Sequence, residues 1–210
     1  MKNSKKRSIA TVAVIWLPCL IGILLWGKLP DQIPSHWNFH NEIDGWIQKE
    51  MLIFGMPVFM TVMQLFVLFM YQNDPKKKNI SKKLMGLMSW FIPAMTLVMM
   101  LLSYGAALGI PIDMGMTVSI LIGLLMIGMG NYLPKSKQSY TMGIKLPWTL
   151  NSEENWNRTH RLAGWLWVMG GILLMISGFL TASQYMVFAI LLVISGVPAA
   201  YSYVLYRKGI

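Results

Sequence analysis

An all-α integral membrane protein with six transmembrane helices is the fold this sequence predicts, and three observations predict it. Of 210 residues, 55% are hydrophobic and 12% charged, too few charges to cover the exterior of a soluble domain. The apolar residues fall in runs of about 20, the length that crosses a bilayer core. Basic and non-basic polar segments alternate between those runs. Lys2, Lys5, Lys6 and Arg7 come first, followed by a loop with Asp31, Glu42, Asp44 and Glu50 against Lys28 and Lys49. Lys76, Lys77, Lys78, Lys82 and Lys83 follow, then a turn with Asp113, a long loop with five basic residues, a neutral turn, and Arg207 with Lys208. This is the positive-inside pattern, and it predicts both termini in the cytoplasm of a multi-pass protein. The net charge of +10 is therefore mainly topological, and no direct contact with nucleic acid is expected. Cys19 is alone in an apolar run, which excludes a disulfide framework and a thiolate metal site.

Four stretches follow from this layout. Residues 1–50 hold the first span and an external loop, 51–132 hold spans two to four, 133–163 form a cytoplasmic loop with an interfacial helix, and 164–210 hold spans five and six. Span one, Ser8 to Gly27, follows a Lys-rich start, as a signal peptide would. Its length and the lack of a small-x-small cleavage site before Lys28 favour a retained anchor. Trp26 sits where an outer interfacial aromatic belongs.

The external loop, KLPDQIPSHWNFHNEIDGWIQKE (residues 28–50), starts stiffly, because Pro30 and Pro34 hold Leu29 and Ile33 extended. Trp37 and Trp46 are placed to lie on the headgroups. His36, His40, Glu42 and Asp44 are metal-ligand types, but no HExxH is present and the prolines disfavour a helix through His36. A solvated, Trp-anchored loop is the expectation, with no metal and no cofactor.

Span two (Met51 to Tyr71) carries Pro57 and one polar residue, Gln64, expected to hydrogen-bond a neighbouring helix. Its methionines, Met51, Met56, Met60 and Met63, read as lipid-facing filler, as do Met95, Met99 and Met100 of span three, with a groove for a hydrophobic peptide as the alternative. The loop QNDPKKKNISKK (residues 72–83) reads as a basic topological stop. Span three (Leu87 to Ile110) ends in a GxxxG, Gly105 to Gly109. Span four (Met114 to Tyr132) has Ser119 and Gly123 at small-xxx-small spacing, so the two are expected to pack as a hairpin. Span five (Leu162 to Thr181) bears Gly164, Gly171 and Gly178 every seven residues. That smooth stripe is expected to meet Ser195, Ala199 and Ser202 of span six (Gln184 to Tyr206), where Pro198 predicts a kink and Tyr201, Tyr203 and Tyr206 an inner aromatic belt.

The longest polar interval is GNYLPKSKQSYTMGIKLPWTLNSEENWNRTHRLAGW, residues 130–165. Pro147 holds Lys145 and Leu146 extended, and Trp148 follows as an interfacial anchor. Asn151 with Glu154 three residues on has capping-box spacing, Glu153 and Glu154 suit the helix N-terminus, and Glu154 pairs with Arg158 at i,i+4. Ser152 to Ala163 therefore predicts an interfacial helix continuing or bending into span five, with Arg158 and Arg161 able to reach phosphates. His160 is the one candidate for a titratable switch in this segment, and a lone interfacial histidine is expected to be inert.

Two stretches resemble the SdpI family of bacterial membrane proteins. In the long loop Gly130, Asn131, Gly143, Ile144, Pro147, Trp148, Thr149, Leu150, Trp156, Thr159, His160, Arg161 and Gly164 match the hallmark pattern. Ser139 stands where Asn is usual, Lys145 for Arg, and Leu146 for Thr; the lysine keeps the charge but loses the planar fork. The first loop is similar to a short N-terminal domain of the same proteins, with Asn41 where Gly is typical. The resemblance implies a membrane immunity protein that gives resistance to a secreted antimicrobial peptide. It also implies a receptor that holds a small DNA-binding repressor at the membrane. Such a protein's toxin-facing candidates are His36, Trp37, Asn38, His40, Asp44 and Trp46. Its cytoplasmic motif comprises Asn131, Gly143, Lys145, Pro147, Trp148, Thr149, Trp156, Thr159, His160 and Arg161.

The alternative is a transporter or exporter of a hydrophobic peptide or lipid. It is disfavoured because no span has an internal Asp, Glu, Lys or Arg to couple an ion. An enzyme is not expected: GxSxG, HExxH and Walker motifs are absent, and no Ser/His/Asp set can be placed on one face.

Overall fold

The computed structural model describes residues 2–38, 40–180 and 184–210, and side chains at 2–4 and 184 are not described. The helices are α1 (Lys2–Leu24), α2 (Met56–Gln72), α3 (Lys82–Ala107), α4 (Met114–Tyr132), the short α5 (Pro147–Asn151), α6 (Glu153–Phe179) and α7 (Gln184–Arg207). Between α1 and α2 lie two strands, β1 (Gln32–Trp37) and β2 (Ile43–Gln48), and a π-helical turn, Met51–Gly55. Among the described residues six helices are long and apolar enough to cross a membrane, so the chain is an all-α multi-pass membrane protein. Thr181, the expected end of span five, lies outside the described residues. Two compact units are present: 1–72 with 85–113, and 73–84 with 114–210.

In the first unit the helices carry their polar residues inward and their apolar ones outward, as lipid as solvent requires. On α2, Gln64 is fully buried while Val58, Phe59, Val62, Phe66 and Phe69 are exposed. Gln64 donates its Nε2–H to the Ser89 carbonyl of α3, 2.9 Å away, the interhelical bond expected of it. That carbonyl is free because its intrahelical partner would be the N–H of residue 93, which is Pro93. The π-helical turn has a similar cause. Pro57 has no N–H for the Ile53 carbonyl, and the Met56 N–H reaches back five residues to Met51.

The loop between α1 and α2, expected to be external, is a β-hairpin in the structure. β1 and β2 pair antiparallel, Gln32 opposite Gln48 and Trp37 opposite Ile43, with irregularities on either side of His36. Alternation sends Ile33 inward, fully buried in a cluster with Leu29, Leu52, Ile53, Met100 and Tyr104. Lys49 is buried too, its Nζ 3.2 Å from Asp31 and 4.9 Å from the centre of the Trp26 ring. Gly109, expected as half of a GxxxG, is instead a helix stop. It takes φ +82, and the Ile110 N–H bonds the Gly105 carbonyl. Gly105 lies against the Ile110 and Ile112 side chains.

In the second unit the glycine stripe of α6 meets α4 rather than α7. A Cβ on Gly171 would stand 2.6 Å from the Gly123 carbonyl oxygen, one on Gly164 2.8 Å from that of Gly130, and one on Gly178 3.0 Å from Ser119. Ser119 and Gly123, expected against span three, thus pack on α6. Small residues on both helices are what permit this backbone approach. The expectation failed because periodicity gives a smooth face but does not say which neighbour it meets. Against α7, α6 uses Gly170, beside Ile194, and Trp167, whose Nε1–H donates to the Ile194 carbonyl at 3.1 Å. Pro198 frees that carbonyl, and α7 runs on unbroken to Arg207.

Candidate functional site

In the hairpin, four of the six candidates, His36, Asn38, His40 and Asp44, are organised by short-range bonds. Asn38 closes the turn: its Oδ1 accepts the N–H groups of His40 (2.9 Å) and Glu42 (3.0 Å), and its Nδ2 donates to Glu42. Asn41 has φ +63, the left-handed conformation that explains both the glycine usual there and the tolerance of asparagine. His36 Nδ1 pairs with Asp44 at the surface, and Gly45 leaves room for the His36 Cβ, which any side chain there would meet at 2.8 Å. Trp46 is 56% exposed. The structure thus brings His36 to Asp44, bonds His40 among the described residues through its backbone N–H, and sets Trp46 on an open face. Among the described residues no three His, Cys, Asp or Glu side chains converge on a metal position.

The 133–163 segment is built by long-range bonds. Leu146 is extended (φ −113, ψ 154), as Pro147 demands, and Pro147 opens α5. Thr149 locks this turn: its Oγ1 accepts the Leu146 N–H at 2.9 Å and faces the Ile144 carbonyl at 2.8 Å. The helix cap is Ser152, not Asn151. Asn151 is still inside α5, and the extended Ser152 (φ −130, ψ 120) accepts the Asn155 N–H. The Glu154–Arg158 pair forms as expected.

The expected interfacial helix is the first part of α6 itself, and its inner face is packed, not lipid-laid. Trp156 and His160 are fully buried and stacked, ring centres 3.9 Å apart. Trp156 Nε1–H donates to the Ser136 carbonyl at 2.9 Å. His160 Nε2 accepts the Ile144 N–H at 2.9 Å, so its proton sits on Nδ1, which donates to the Trp156 carbonyl at 2.8 Å. Both ring nitrogens are occupied by backbone groups, which makes this histidine a strut. Gly143 crosses the ring faces at φ +105, where a Cβ would stand 2.5 Å from His160 Nε2. Thr159, also buried, bonds Asn155 Oδ1. Trp148 packs between Tyr203 (5.4 Å) and Tyr206 (5.7 Å) of α7. Asn131, Lys145 and Arg161 stay at the surface, outside this cluster.

Three groups that sequence reading passed over hold the segment in place. Asp74, only 3% exposed, accepts five hydrogen bonds. One oxygen takes the Lys76 N–H. The other takes the Ser139 hydroxyl (2.9 Å), the Tyr140 N–H (3.1 Å), and the Thr141 N–H (2.9 Å) and hydroxyl (2.7 Å). Burial alone would raise this carboxyl, but the donors from Thr141, Lys76 and Ser139 hold it below its ordinary value. Gln138 bridges next to it, accepting from Lys76 Nζ (2.8 Å) and donating to the Thr149 carbonyl (2.8 Å). Asn155 ties the segment to the C-terminus. Its Nδ2 donates to the Ser202 and Ile210 carbonyls, and its Oδ1 accepts the Ser202 hydroxyl at 2.7 Å. One clue to Asp74 was present: an acid followed by proline, alone among Lys76, Lys77 and Lys78.

The SdpI/YfhL protein family model matches residues 135–202, which takes in the Gln138, Gly143, Trp156 and His160 cluster. A second, described as a domain of unknown function (DUF1648), matches residues 13–61, the stretch with the hairpin. The Immunity protein SdpI of Bacillus subtilis (strain 168) is 26% identical over 205 residues, 97% of either chain. The 135–202 region is thus similar to the SdpI/YfhL protein family. No solved structure matches it. Within this SdpI-family region the serine at 139 does what an asparagine would do there. Its Oγ accepts the Thr141 and Met142 N–H groups at 3.1 Å each, an Asx-like turn made by a hydroxyl. Lys145 is exposed and reaches no further than the Thr141 carbonyl at 3.5 Å, so the lost guanidinium fork leaves no gap in this fold.

Proposed function

We propose that this protein is a bacterial membrane immunity protein that gives its host resistance to a secreted peptide toxin. One observation carries the reading: its similarity to Immunity protein SdpI runs end to end, through both the hairpin and the 135–202 region. The alternation of basic and non-basic segments supports an orientation with both termini in the cytoplasm, hairpin outside and 133–163 segment inside. In that orientation the exposed His36–Asp44 pair and Trp46 form the toxin-facing surface, and the inner segment is where a small DNA-binding repressor would dock. The role requires binding, not catalysis.

The test is a killing curve. A bacterium sensitive to secreted peptide toxins, made to express this chain, should survive higher toxin concentrations than a matched strain carrying an empty vector. Superimposed curves across several such toxins, with the protein present in the membrane, would reject the reading.

A further inference from the structure

An open groove of about 890 Å³ runs along the N-terminal part of α6 beside Tyr201 of α7. The order of its lining side chains is informative. Leu162 and Trp165 stand at one end, Trp165 being 70% exposed; Arg161 and Arg158 follow; Asn157 and the carboxylates of Glu154 and Glu153 stand at the other. Arg158 is paired with Glu154. Arg161 and Glu153 are exposed and have no partner among the described residues. One unpaired guanidinium and one unpaired carboxylate thus flank a neutral ion pair, with an apolar end next to the guanidinium.

A purely anionic ligand would meet the carboxylates unfavourably, and a purely cationic one the guanidinium. Apolar, then cationic, then anionic is the complement of a phospholipid with an amine headgroup: acyl chain and glycerol, then phosphate, then ammonium. Fork-shaped guanidinium donors suit phosphate oxygens, and a primary ammonium brings three donors for Asn157 and the two glutamates. The exposed indole and Tyr201 are the amphipathic rings found at headgroup depth.

We infer that this groove is a binding site for a zwitterionic aminophospholipid, its phosphate on Arg161 and its ammonium at Glu153 and Glu154. Glycerophospholipids with ethanolamine, glycerol and choline headgroups discriminate the parts. All carry the phosphate, but glycerol brings no cation and choline a cation that cannot donate a hydrogen bond.

Native mass spectrometry of the full-length protein, with equal mixtures of the three lipids, tests this. The wild type should retain the ethanolamine lipid preferentially. Arg161→Ala should weaken retention of all three by about tenfold, the effect of one lost charge-assisted hydrogen bond. The double variant Glu153→Gln, Glu154→Gln should keep phosphate-dependent retention and lose the ethanolamine preference. Equal retention by wild type and Arg161→Ala would overturn the site. A wild-type preference for the glycerol lipid, or no preference, would overturn the zwitterionic assignment. All three positions are exposed, so helical content and melting should match wild type, and a variant that fails that control leaves the other to decide.

Discussion

The hairpin of β1 and β2 and the first turns of α6 use the same residue types, histidine, tryptophan and asparagine, and hold them in opposite ways. The His36 side chain is 71% exposed and pairs eight residues along; His160 is fully buried, with both nitrogens bonded to backbone. Trp46 is 56% exposed, and Trp156 not at all. Asn38 bonds within its own turn, whereas Asn155 reaches Ser202 and Ile210 near the far end of the chain. A shared composition therefore conceals two tasks. The second-unit motif commits its polar atoms to buried long-range bonds, and the hairpin keeps its polar groups in local pairs at the surface with one indole exposed. On this view the residues of the 133–163 segment should be measured by stability and those of the hairpin by activity.

The largest stability effect is expected at Asp74. Asp74→Ala removes the acceptor of five hydrogen bonds and strands donors of the 139–141 turn, a loss of about 3 kcal/mol for a hydrogen-bonded buried charge. Thermal unfolding in detergent would read it. The pH dependence has a definite sign. Because the folded carboxyl sits below its ordinary value of 3.8, its contribution is complete above that value. It is lost as pH falls through the lowered folded value. Asp74→Asn should lack this acid-linked loss. An Asp74→Ala protein as stable as wild type would break the comparison, since the 133–163 segment would then not depend on its long-range bonds.

Gly143→Ala comes next. It demands a left-handed backbone from an L-residue and places a methyl on His160 and Trp156, for about 2 kcal/mol together. A double variant with His160→Ala separates the two causes. Part of the cost should be relieved by the room created, and the backbone part should remain. Full additivity would mean that the ring contact carries none of it.

Much of this was legible in the sequence, and what was not has specific physical reasons. Hydropathy and charge alternation report on single segments, so the six spans, the extended Leu146 and the Gln64 bond to a neighbouring helix could all be read directly. Pairing between segments could not. The stripe of Gly164, Gly171 and Gly178 was visible as a smooth face, but α4 and α7 both offered small residues, and only packing decides between them. Asp74 reads as part of a basic stop because four of its five donors lie more than 60 residues away. The hairpin was hidden by its prolines and by a composition that looked like a solvated loop. His160 was singled out for its titratable ring, whereas the fold uses it for its two bonding directions.

The smallest stability change, and the most telling, is expected in the hairpin. His36→Ala and Trp46→Ala remove exposed groups whose partners stay solvated, so each should shift stability by no more than about 0.5 kcal/mol. If the hairpin is the toxin-facing surface, the same substitutions should lower the toxin concentration that expressing cells survive, with the protein still folded in the membrane. The pattern is then a double dissociation: Gly143→Ala costs stability, and resistance falls only in step with the amount of folded protein. Trp46→Ala would cost resistance at constant amount. Full resistance in a His36→Ala, Trp46→Ala double variant would mean that exposure in the hairpin is solvation alone, and that protection resides in the spans.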